Sequence, residues 1–123
     1  MASVFEATAG KSIGYTSGLG GAVTQATSKS TGVTLNKVCG QITMHDASLA
    51  AAAEVAFTVT NSFVAATDCV VASIASGGTS GAYNLQVSAV AAGSFDLALG
   101  NMSAGSLGEA VVINFAVIKA AND

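Results

Sequence analysis

Apolar and polar side chains alternate along much of this chain. Val55, Phe57 and Val59 alternate with Ala56, Thr58 and Thr60; Tyr83, Leu85, Val87 and Ala89 with Asn84, Gln86 and Ser88; Phe95, Leu97 and Leu99 with Asp96, Ala98 and Gly100. Successive side chains of an extended strand point to opposite sides, so a period of two predicts strands with one buried and one solvated face. Runs of β-branched and apolar residues bounded by Gly, Ser, Asn and Asp predict further strands over 22–26, 32–35, 41–44, 69–75 and 110–119. About eight strands without βαβ alternation predict an all-β fold, a single β-sandwich or jelly-roll-like domain. Its expected core is Val55, Phe57, Val59, Leu85, Val87, Phe95, Leu97, Val111, Ile113 and Phe115.

The last strand differs from the others in being apolar on both sides. Val111, Ile113, Phe115 and Val117 share one face, and Val112 and Ile118 lie on the other. Such a strand belongs in the middle of a sheet or under another subunit, which makes Val112 and Ile118 subunit-interface candidates. Residues 47–56 are the only helical candidate: they are rich in alanine behind a capping Asp46, and they read as a turn or a single helical turn.

Residues 1–21 lack this periodicity. Gly10, Gly14, Gly18, Gly20 and Gly21 interrupt them, and Val4, Phe5, Ile13, Tyr15 and Leu19 stand as isolated apolar anchors. The division is an N-terminal arm over 1–21 and a sandwich over 22–123. An arm with separated hydrophobes suits docking on a partner surface, and these five residues are its contact candidates.

Composition narrows the function. Only 9% of the 123 residues are charged, against roughly a quarter in ordinary soluble domains, and all four basic residues are lysines: Lys11, Lys29, Lys37 and Lys119. The hydrophobic fraction is 51%, much of it alanine and valine. A surface of Ser, Thr, Asn, Gln and Gly favours an assembly component over a free enzyme whose solubility rests on charge. A net charge of −3 with scattered lysines argues against nucleic-acid binding. The first residues carry Glu6 and no long apolar run, so neither a secretory signal nor a membrane span is expected, and synthesis in a cytoplasm leaves Cys39 and Cys69 as buried free thiols.

Candidate chemistry is sparse. Ala9-Gly10-Lys11-Ser12 ends like a phosphate-binding loop, but Phe5 occupies the position of its first glycine. Gly18-Leu19-Gly20-Gly21 lacks the third glycine of a dinucleotide loop, where Val23 stands. His45, Asp46 and Ser48 lie too close in sequence to converge as a triad, and one histidine with two distant cysteines makes no metal site. The seven carboxylates form no calcium loop, and Asn101-Met102-Ser103 is a glycosylation sequon without a secretory route. No enzymatic activity, cofactor or metal is expected.

The segments 27–36, 40–44, 57–62, 81–95 and 107–118, from TSKSTGVTLN to LGEAVVINFAVI, together resemble a β-sandwich module of tailed-bacteriophage structural proteins. The resemblance implies a virion component made in the host bacterial cytoplasm. Where such a module stands alone it implies a capsid decoration (cement) protein on the phage head surface, binding the major capsid protein between capsomers as a homotrimer. The alternative is a tail-fibre module that binds a host-surface glycan through the polar loops 76–82 and 101–108. With two tyrosines and no tryptophan the chain has few aromatic platforms for a sugar.

Overall fold

The computed structural model describes residues 12–122 and is all-β, with no helix among them. Eight strands follow in order: β1 (Gly20–Thr24), β2 (Val33–Thr34), β3 (Cys39–Thr43), β4 (Glu54–Thr60), β5 (Cys69–Ser76), β6 (Tyr83–Ala91), β7 (Ser94–Asn101) and β8 (Val112–Ile118). They form two four-stranded sheets, β1-β3-β8-β5 (sheet A) and β2-β4-β7-β6 (sheet B), packed face to face as a sandwich. Every strand expected from the apolar pattern is present.

The chain alternates between sheets from β1 to β6, makes the one tight hairpin β6–β7, and returns to sheet A with β8. Alternation makes β1 a parallel neighbour of β3, and β2 a parallel neighbour of β4. These pairings set the fold apart from a wholly antiparallel sandwich. Gly40 permits the first of them: a Cβ there would stand 2.4 Å from the Gly21 carbonyl oxygen, so only glycine lets β1 approach β3 at this register.

The core is built from the inward faces of both sheets. Phe57, Val59, Phe95, Leu97, Val111, Ile113 and Phe115 are buried as expected, and Phe95 and Phe115 meet across the sandwich with ring centroids 5.3 Å apart. Val55, Leu85 and Val87 are partly buried against this cluster rather than at its centre, because β6 is an edge strand and Val55 begins β4 beyond its short pairing with β2. Ile42, Met44, Leu99 and Val117 complete the centre. β8 lies inside sheet A between β3 and β5, where its doubly apolar sequence belongs.

The alanine-rich stretch after Asp46 forms a turn, not a helix. Leu49 bridges to Leu107, and the Asn101 amide donates to the Ala53 carbonyl at 2.8 Å. These tertiary bonds hold the backbone extended on both sides of Ala51–Ala52 and override helix propensity.

Candidate interaction surface

The two outer faces of the sandwich are chemically unlike. Residues paired across adjacent strands point to the same side. On sheet B this rule places Glu54, Thr58, Thr60, Asn84, Gln86 and Asp96 outward, with the Thr58 hydroxyl donating to the Asp96 carboxylate at 2.7 Å. Sheet A has no charged residue in any of its strands. Its outer face carries the row Cys39, Ala116, Val71, then the pair Cys69 and Ile118, bordered by Gln41, Asn114 and Ser73. Val71, on the edge strand β5, and Ile118, at the end of β8, are 49% and 51% exposed.

The arm extends this surface. The Tyr15 hydroxyl donates to the Val117 carbonyl, and Ile13 and Tyr15 stand beside Cys39, Ala116, Ile118 and Lys119 around an open, mostly apolar groove of about 630 Å³. Ile13 is 73% exposed, and Tyr15 and Leu19 are also exposed. Val4 and Phe5 lie outside the described residues. The arm anchors Ile13 and Tyr15 and the interface candidate Ile118 therefore share one surface. Val112 lies on the same face of β8 at its other end and is half-buried between Thr43 and Ser76.

One end of the sandwich is a closed polar cluster that sequence reasoning missed. Lys29, one of the four scattered lysines, is buried, and its Nζ donates to the carbonyls of His45 and, at 2.6 Å, Glu109. Burial pushes its ammonium below the usual lysine range, partly offset by the carboxylates of Asp46 and Glu109. Gln25 is buried beside it, donating to the carbonyls of Lys29 and Thr31 and accepting from the His45 amide. The Glu109 carboxylate accepts from the Thr79 amide, the Tyr83 hydroxyl and the Thr79 hydroxyl, which hold it below the usual carboxylate range. Burial, with Glu109 adding to it, pushes the Tyr83 phenol up to about 12. No local pattern marks Gln25 or Lys29 for this role; only the topology brings residues 25, 29, 45, 79 and 109 together.

The same geometry places several residues of the sequence motifs. His45 Nδ1 accepts from the Ala47 amide at 3.0 Å, Asp46 lies 3.5 Å from that nitrogen, and among the described residues no hydroxyl bonds to the ring. Asn101 of the sequon is buried, its amide donating to the carbonyls of Leu49 and Gly105. Among the described residues no group of three His, Cys, Asp or Glu is placed to hold a metal ion. Residues 9–11 of the phosphate-loop fragment lie outside them. Loops 76–82 and 101–108, the glycan-binding candidates, bond to each other and to Glu109: the Met102 amide donates to Ala82 and the Thr79 amide to Glu109.

Both cysteines are free, but neither is buried: Cys39 is half-buried and Cys69 exposed. The expectation of buried thiols is corrected by the register, which turns both outward on sheet A. They flank β8 on opposite sides and are offset along it, opposite Ala116 and Ile118, so their Cα atoms stand about 10 Å or more apart. That exceeds the reach of an intramolecular disulfide.

No helix among the described residues is long and apolar enough to cross a membrane. Comparison with family models, with curated proteins and with solved structures finds no match to this chain.

Proposed function

We propose that this protein is a non-enzymatic structural component of a tailed-phage virion, a decoration subunit that binds the major capsid protein between capsomers as a homotrimer on the head surface. The observation that carries the reading is the inequality of the two faces: an uncharged apolar face on sheet A, continuous with the arm, opposite a polar face that bears Glu54 and Asp96. A subunit fixed in a layer needs one face to bury and one to leave in water. The resemblance of its strand and turn segments to tailed-phage β-sandwich modules supports the virion setting.

Attachment to the shell is assigned to the arm, through Val4, Phe5 and Leu19, while Ile13 and Tyr15 lie against sheet A. Three arms on one trimer convert weak single contacts into lasting attachment through effective concentration. No cofactor, nucleic acid or membrane enters this reading. The fibre-module alternative is less favoured, because in the loops 76–82 and 101–108 the side chains of Thr79, Asn101 and Ser103 are engaged within the protein and Tyr83 is tied to Glu109.

Quantitative mass spectrometry of purified virions tests the proposal. A copy number in proportion to the capsomers is expected, whereas a handful of copies per particle points to the tail. Removal of residues 2–11 is expected to leave the fold intact and to abolish binding to shells that lack the protein. Truncated protein that binds such shells as tightly as the full chain, or full-length protein that binds host cells and not shells, overturns the assignment.

A further inference from the structure

We infer that the outer face of sheet A is a self-association surface, covered by the same face of further copies of this chain around a common axis. Charge, area and shape argue for this occupant.

The chain carries a net charge of −3, so copies repel wherever their carboxylates face each other. Two sheet B faces brought together would set Glu54 and Asp96 against their own counterparts. Two sheet A faces meet without opposing like charges in their strands, and Lys119, which lines the groove, has its ammonium neutralised by the Asp68 carboxylate. A partner of opposite charge finds no strand charge to pair with there.

Ile13, Tyr15, Val71 and Ile118 are 73%, 42%, 49% and 51% exposed. With Ala116 and Cys69 they form a contiguous apolar patch, the kind of exposed area that marks an interaction surface. Gln41, Ser73 and Asn114 add uncharged polar groups at its border, the usual composition of an interface rim. In shape, Ile13 stands out beside a groove that recedes between it and Ile118. One patch thus offers both a projection and a recess, so the projection of each copy can enter the recess of the next around a closed ring.

The inference takes the number three from the decoration reading; the surface itself follows from the geometry alone. Light scattering on the purified full-length protein under reducing conditions is expected to give three times the 11.9 kDa chain mass. Val71→Asp and Ile118→Asp should each shift it to 11.9 kDa with an unchanged far-ultraviolet spectrum, while Gln86→Asp, which adds the same charge to the outer face of sheet B, leaves the oligomer intact. Because an aspartate on a sheet can also unfold it, maleimide labelling of exposed Cys69 in the unsubstituted protein gives a second readout. Labelling should slow as protein concentration rises and copies cover the thiol.

A wild-type protein that is monomeric and labels at one rate at every concentration overturns the inference, as does an oligomer that survives both folded aspartate variants. If the protein is monomeric and the same variants lose shell binding, the face belongs to the shell: self-association fails and the decoration reading stands. If the oligomer forms as described and binds no shell, decoration fails and the self-association surface stands.

Discussion

Two residues show how tertiary context sets local conformation here. Ala52 holds φ at 60°, in the left-handed region that costs a non-glycine residue roughly 1–2 kcal/mol. The bridge between Leu49 and Leu107 on one side and β4 on the other force the turn, and the Ala53 amide closes it onto the Ala50 carbonyl at 3.1 Å. Ala52→Gly removes the Cβ clash, a gain offset only in part by added unfolded-state entropy, so it should stabilise the protein by about 0.5–1 kcal/mol, read as a higher denaturant midpoint; a lower midpoint contradicts the argument. Lys29 is the opposite case, a group that costs desolvation and is retained for its bonds. Lys29→Met relieves that cost but leaves the carbonyls of His45 and Glu109 without their donor. Orphaned acceptors cost about 1–3 kcal/mol, so net destabilisation is expected in equilibrium unfolding.

The strands were legible in the sequence because a one-sided strand must alternate, and Val55–Val59, Leu85–Val87 and Phe95–Leu99 do so without interruption. Their pairing was not legible. Nothing in the glycine-rich start of β1 announces a parallel partner in β3, since that partner is chosen by the crossing of β2 to the other sheet. The interaction surface was half legible: Ile118 was marked by a strand apolar on both sides, whereas its union with Ile13 and Tyr15 required the arm to lie on sheet A. The connections between strands are pinned by carboxylates, which makes them sensitive to acid. Asp68 accepts from Lys119 and from the Ala65 amide, and these bonds hold its carboxyl below its ordinary value of 3.8; Glu109 is held below 4.5 by Thr79 and Tyr83. A depressed carboxylate stabilises the fold above its unfolded value, and that contribution is lost as pH falls through the folded value. The unfolding midpoint should therefore be flat from about pH 5 through neutral pH and fall below about pH 4.5, and Lys119→Met should make the fall shallower. A midpoint unchanged down to pH 2 would remove these bonds from the account.

At the scale of the whole molecule, the sandwich separates two tasks that a low-charge chain must reconcile. Its inner faces form the fold, with no charged side chain in the central cluster, and one of its outer faces is left apolar for assembly. The two should respond differently to substitution. Phe57 and Phe115 come from opposite sheets, are 3% and 4% exposed, and Phe115 packs against Phe95. Truncating either leaves a cavity that sheets joined by long-range pairings have little freedom to close, so Phe57→Ala and Phe115→Ala should each cost about 3–5 kcal/mol. The loss should appear in urea unfolding as a lower midpoint with the slope preserved, since the area exposed on unfolding hardly changes. Val71→Ala, at a side chain half in water on the outer face, should cost much less in the isolated chain because it empties no closed space. Equal losses at Phe115 and Val71 in the monomer would mean that the outer face of sheet A is as tightly packed as the core, and the distinction between a folding face and an assembly face would fail.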